Sequence, residues 1–231
     1  MKLKQLIEHI NVEILQPGGR DPMQTEVTSV ELDSRKVTEG SLFVCIKGAV
    51  FDAHSVAADV AKAGASVIVI QDPVDMAQIS SEVVVIRVTD SRYALACISA
   101  AWFGHPAREL TTIGITGTKG KTTTTYMVKS ILERTGHKVG LIGTIEAIVG
   151  DKIYPAANTT PESYTVQKYF REMVMQAATA WSWKRPRRAS CSTGQLDSHL
   201  TTASSPTSRG TTSDRTSTGI SNTIWNARRC C

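Results

Sequence analysis

The chain has 231 residues, 41% hydrophobic and 20% charged, enough for one large or two small cored domains and unlike any wholly disordered, collagen-like or coiled-coil class. Its net charge of +5 sits at one end: residues 176–231 hold seven Arg and one Lys against Asp197 and Asp214, so the rest is near neutral and no nucleic-acid partner is expected. Apolar runs such as Val83–Ile86 are too short to cross a bilayer, and Glu8 and His9 fall where a signal peptide is apolar, which predicts a cytoplasmic protein with no membrane partner.

In chain order, LKQLIEHI predicts a short helix, and Val27–Leu32 and Leu42–Ile46 predict strands. His54–Ala63 spaces its alanines and valines helically and stops at Gly64. Ser66–Ile70 and Val83–Val88 are β-branched runs suited to buried strands. Ser91–Phe103 predicts a helix closed by Gly104 and Pro106, the best place for a domain boundary. A strand over Leu110–Ile115, a glycine-rich turn, a helix over about 121–134, a strand over Val139–Ile145 and a last helix from Pro161 complete the pattern. Such alternation predicts an α/β fold with a mainly parallel sheet. Cys45, Cys97, Cys191, Cys230 and Cys231 form no C-x-x-C pair, so neither a zinc site nor a disulfide framework is indicated.

The pattern collapses after about Met175. Residues 176–231 contain ten Ser, ten Thr and seven Arg, no Val, Phe, Tyr or Met, and only four Leu plus Ile. Such a stretch cannot bury enough apolar surface to offset its ordering entropy, so a disordered tail is expected. Yet three of the four Trp lie there, which a polar linker seldom shows.

The strongest chemical signal is G-I-T-G-T-K-G-K-T over Gly114–Thr122, between an apolar strand and an amphipathic helix. Glycines let backbone N–H groups approach phosphate oxygens, and a helix N-terminus adds its positive dipole end. Lys121 can reach the β- and γ-phosphates of ATP as the catalytic cation, and the Thr122 hydroxyl can ligate Mg²⁺. The strict G-x4-G-K-[ST] spacing is missed, because Ile115 follows a glycine that comes one residue early. A plain glycine-rich strand–helix turn is the alternative, and it leaves Gly-Lys-Thr at a helix start unexplained.

The variant T-G-T-x-G-K-T-T resembles the ATP loop of the Mur ligases and their folylpolyglutamate synthetase relatives, which usually carry Asn where this chain has Lys119. N-T-T-P-E-S over Asn158–Ser163 resembles a segment of the MurE group that contacts a UDP-muramoyl substrate. Without that likeness, Thr160 as a cap, Pro161 at the first helical position and Glu162 in the first turn would account for it. L-D-S-R-K-V-T-E-G-S-L-F-V over Leu32–Val44 resembles the UDP-binding domain of the MurE and MurF groups, where an ordinary turn is the alternative. Phe51–His54 has Ala53 where the family has glycine, and His54 is expected at a helix start or in packing rather than in catalysis.

The resemblance runs through residues 1–174. It implies a UDP-binding α/β domain (1–107), the beginning of a Rossmann-like P-loop ATPase domain (108–175) and the tail (176–231). It further implies ATP and Mg²⁺ as cofactors, with Gly117, Thr118, Lys119, Gly120, Lys121, Thr122 and Thr123 around ATP and Thr122 on the metal. Leu32, Ser34, Asn158, Thr159 and Thr160 would hold the substrate. The implied reaction is ATP-dependent amide formation in peptidoglycan precursor synthesis: a diamino acid, meso-diaminopimelate or L-lysine, joins UDP-MurNAc-L-Ala-D-Glu through an acyl phosphate, on a monomer. An unrelated P-loop nucleotide-binding protein or kinase is the competing reading, and the arginine-rich tail alone would suggest nucleic-acid binding.

Family members complete the site with E-x-S-S and N-x-x-x-D-H segments that this chain lacks as translated. Pairing each codon's third base with the next codon's first two turns Trp183–Lys184 into Glu without choice and permits V-M-E-A-S-S-Q-G-L from Trp181 onward. F-D-Y-G-I-F-T-N-L is permitted over His199–Ser208 and D-H-I-G-P over Gly210–Arg215. The tail is therefore expected to be out of frame and the chain inactive as a ligase.

Overall fold

The computed structural model describes residues 1–19, 21–116, 119–156, 161–176, 178, 180–184 and 200–204. Contacts divide the chain into two compact units that meet between Gly104 and His105. The first unit contains α1 (Leu3–Leu6), β1 (Glu13–Pro17), β2 (Ser29–Glu31), β3 (Ser41–Val44), α2 (Ala57–Lys62), β4 (Ala65–Ile70), β5 (Val84–Arg87) and α3 (Ser91–Trp102). Its sheet runs β1-β5-β4-β3-β2, parallel from β2 to β5, with β1 antiparallel at one edge.

Both faces of this sheet are covered, which is why β3 and β4 carry nearly continuous apolar runs. Phe43, Cys45, Ile68, Ile70 and Val85 pack on one side with Ala57, Val60 and Ala61 of α2. Strand alternation turns Leu42, Val67, Val69 and Ile86 to the other side, where they are as buried as Leu3 of α1 and Ile98 of α3. α3 begins where Asp90 accepts hydrogen bonds from the N–H groups of Arg92 and Tyr93.

The second unit contains β6 (Thr111–Thr116), α4 (Lys121–Arg134), β7 (Val139–Ile142), β8 (Glu146–Val149), β9 (Lys152–Pro155), α5 (Ser163–Met175), β10 (Ala180–Lys184) and β11 (Leu200–Ser204). Its sheet runs β11-β6-β10-β7-β8-β9; the first four are mutually parallel and the β7–β8–β9 meander is antiparallel. Val166, Phe170 and Met173 of α5 close a core over Ile142, Ala147 and Val149.

Several sequence expectations need correction. The strand expected over Val139–Ile145 stops at Ile142, because Gly143 donates to the Glu146 carbonyl and turns the chain into β8. The Gly150–Asp151 turn then returns β9, with Gly150 at φ 57°. α5 starts at Ser163 with Glu162 as its cap residue, not at Pro161. The tail expected to be disordered supplies two strands, β10 inside the sheet and β11 beside β6; apart from Gln176 and Ala178, its remaining residues lie outside the described ones. Backbone pairing to β6 and β7 places β10 whatever its composition.

Candidate functional site

β6 delivers the chain to the phosphate loop and α4 leaves it. Gly120 caps α4 at φ 78°, a left-handed conformation that favours glycine, and a Cβ there would meet no atom within 4 Å. The backbone at Gly120 is thus unobstructed at the helix N-terminus, a place that favours anions. In the first turns, the hydroxyls of Thr124 and Thr125 donate back to the Gly120 and Lys121 carbonyls, at 3.0 and 2.7 Å. Among the described residues the Thr122 and Thr123 hydroxyls make no such bond, which leaves them able to meet a ligand. Lys121 and Thr122 are half-buried, whereas Lys119 and Thr123 are exposed. Gly117 and Thr118 lie outside the described residues.

One side-chain bond ties α4 to the sheet and one ion pair lies within the helix. The Tyr126 hydroxyl donates to Glu146 of β8, and this bond, more than burial, pushes the phenol up to about 12. Lys129 pairs with Glu133 one turn on.

Asn158, Thr159 and Thr160 also lie outside the described residues, but their flanks are placed. Ala156 and Pro161 border a cavity of about 120 Å³ with Gly143, Tyr154, Glu162 and Tyr169. The flanking residues Ala156, after β9, and Pro161, before α5, thus lie around the same cavity as Gly143, which follows β7.

In the first unit, Leu32 and Ser34 follow β2, and both are half-buried. Asp33 caps the short turn Ser34–Lys36 by accepting from the Arg35 N–H, while the Arg35 guanidinium holds it bidentately. These bonds, the guanidinium's first, hold the Asp33 carboxyl down at about 2. Because β2 to β5 are parallel, the segments after β2, β3, β4 and β5 gather at one edge, the carboxyl edge where open α/β sheets take ligands.

That edge carries a polar cluster which the sequence reading missed. The His54 side chain, 6% exposed, has Nδ1 2.6 Å from Asp52 Oδ1. Its Nε2 accepts the backbone N–H groups of Gln71 and Asp72 at 3.1 and 3.2 Å, so Nδ1 carries the proton and donates it. The His54 hydrogen bonds keep the Asp52 carboxyl below its usual range. Lys47 Nζ lies 3.8 Å from Asp52 and 3.3 Å from Asp72. Both ring nitrogens are used and the carboxylates face an ammonium, so the cluster is a latch rather than a metal site. It pins loop 47–54 against the end of β4, as the helix-start role expected for His54 implied. Ala53 sits in a short helical turn without positive φ, so the alanine found there adds no backbone strain. The loop tip it holds presents Val50 and Phe51 to solvent. Near it, a cavity of about 860 Å³ opens between Ile10–Glu13, Gln71, Asp72 and Arg87–Thr89, with Arg87 paired to Glu13.

Both units match known domains. Residues 26–103 match the Mur ligase family, catalytic domain, and residues 115–182 match the Mur ligase middle domain. The chain belongs to the Mur ligase family. It is 46% identical over 173 residues to the UDP-N-acetylmuramoyl-L-alanyl-D-glutamate–2,6-diaminopimelate ligase of Bacillus velezensis, covering 75% of this chain and 34% of that one. Its identity to the same ligase of Geobacillus kaustophilus is 44% over 174 residues, with the same coverage. The chain thus spans about a third of the length of these curated relatives. Among solved structures, a diaminopimelate ligase of the same description shares the fold at 20% identity and TM-score 0.68, over 94% of this chain and 42% of that one. MurF of Acinetobacter baumannii aligns at 26% identity and TM-score 0.51, over 79% and 35%.

Proposed function

We propose that this chain carries the nucleotide-substrate and ATP-loop domains of an ATP-dependent ligase that adds a diamino acid to UDP-MurNAc-L-Ala-D-Glu. Diaminopimelate is the diamino acid, as in the names of the relatives. The observation that carries the reading is the open, left-handed Gly120 at the N-terminus of α4, followed by half-buried Lys121 and Thr122, inside the stretch matched by the middle domain. Lys121 and the loop N–H groups offset the charge that spreads over a phosphoryl group in transfer to the substrate carboxylate. Thr122 fits Mg²⁺, since its hydroxyl makes no bond to the α4 carbonyls; a bound Mg²⁺ would neutralise phosphate charge there. Lys119, Gly117, Thr118 and Thr123 line the loop. In the first unit, Ser34 and the backbone at Leu32 hold the uridine diphosphate end, and Asn158, Thr159 and Thr160 contact the muramoyl part.

A ligand-induced thermal shift tests this. ATP with Mg²⁺ at a hundredfold excess over its dissociation constant should stabilise the chain by roughly 2.7 kcal/mol. Lys121→Ala should abolish that shift, and Ser34→Ala should weaken the shift caused by the UDP-muramoyl dipeptide alone. Equal ATP shifts in wild type and Lys121→Ala would refute the loop assignment. An ATP shift with no response to the uridine nucleotide would favour an unrelated P-loop protein.

A further inference from the structure

We infer that residues from about 176 to 231 are translated one base out of frame, and that the strand seated at β10 is encoded, with a different sequence, in the neighbouring frame. The place and the residues do not match. β10 lies between β6 and β7, parallel to both, with Ser182 in register with Ile113 and Leu141 and Trp183 with Gly114 and Ile142. Its neighbours Ile115, Leu141 and Ile142 are fully buried, and α4 packs across it. An interior parallel strand covered by helices asks for short aliphatic side chains. The chain offers Ala-Trp-Ser-Trp-Lys.

The genetic code supplies what the position asks for. In the frame that joins each codon's third base to the next two bases, a pair ending in Trp yields N-T-G, which encodes only Leu, Met or Val. Ala180–Trp181 and Ser182–Trp183 are therefore both forced to be aliphatic. Trp181–Ser182 yields Val or Glu, and Trp183–Lys184 yields G-A-A, which is Glu with no choice of codon. A tail poor in aliphatics thus becomes an aliphatic strand where the sheet needs one. The forced Glu follows it at the level of Gly114 and Ile115 of β6, the strand that leads into the phosphate loop. A carboxylate at the end of the strand beside a phosphate loop is a ligand for the Mg²⁺ of nucleotide chemistry. Excess Trp, Cys and Arg with few aliphatics then follows from the frame rather than from a structural role.

The test is the nucleotide sequence of codons 170–231 from an independently amplified genomic template, followed by a one-base repair near codon 175. The neighbouring frame should be open throughout, and repair should slow hydrogen exchange across this strand relative to residues 180–184 of the 231-residue chain, because aliphatic side chains suit its interior place. A stop codon in the neighbouring frame between codons 181 and 231 would overturn the inference. So would equal protection of residues 180–184 before and after repair. Neither result depends on ATP binding, so the Lys121 experiment fails or succeeds separately.

Discussion

Removing the His54 ring should loosen the carboxyl edge of the first unit by a measurable amount. In His54→Ala the backbone N–H groups of Gln71 and Asp72 lose their acceptor. An unpaired buried donor costs about 1–3 kcal/mol, but Gln71 is exposed and Asp72 half-buried, so water recovers part and about 1 kcal/mol each remains. The ring itself is 6% exposed, and its lost packing adds about 1 kcal/mol. The bond to the solvent-facing Asp52 carboxylate is left out of this figure. The expected destabilisation is about 2–3 kcal/mol, read from urea unfolding by far-ultraviolet circular dichroism, with faster exchange of the Gln71 and Asp72 amides. His54→Gln places an oxygen near the Nε2 position and should restore about half. A loss below about 0.5 kcal/mol, or a Gln variant no better than Ala, would refute the latch.

Three other outcomes follow. Burial pushes the Cys45 thiol up to about 12, so the native protein should leave Cys45 unmodified by iodoacetamide at pH 8, and urea should expose it; fast native labelling would contradict its packing under β3. Tyr126, raised to about 12 by Glu146, stabilises the fold fully below the unfolded tyrosine value near 10 and loses that contribution as pH rises through about 12; Tyr126→Phe should flatten stability over that window, and an unchanged profile would count against the bond. Asp33, held at about 2 by Arg35, contributes above its unfolded value of 3.8 and loses the contribution as pH falls toward 2; an NMR titration of Asp33 with a midpoint near 4 would show that the Arg35 fork does not persist in solution.

Elements with a strong local cause were legible in the sequence. α4 begins at Lys121 and ends at Arg134 as expected, because Gly120 and Gly136 bracket it and both take positive φ. β4 and β5 announced themselves by β-branched runs, since both faces are buried. β1 gave no such signal. It is an edge strand with Ile14 and Leu15 more than a third exposed, a bulge between Ile14 and Gln16, and Pro17 at its end. The β8–β9 hairpin did carry one, Gly150-Asp151 between two alternating runs. It was hidden because Val139–Ile145 looks like one strand until Gly143 breaks it.

The two halves of the candidate site differ in the same way. The phosphate loop is local: nine consecutive residues carry the glycines, the cation and the hydroxyl, so spacing alone exposes it. The latch on the first unit is not. His54 meets the Gln71 and Asp72 amides, 17 and 18 residues away, only because β3 and β4 lie side by side and end at the same level. Sequence can name a histidine at a helix start, but which carbonyl, carboxylate or amide faces its ring is decided by sheet register. β10 is the converse case. Its register places it at the centre of the sheet while its residues argue against that place, and a conflict of that kind between position and composition points to the gene rather than to the fold.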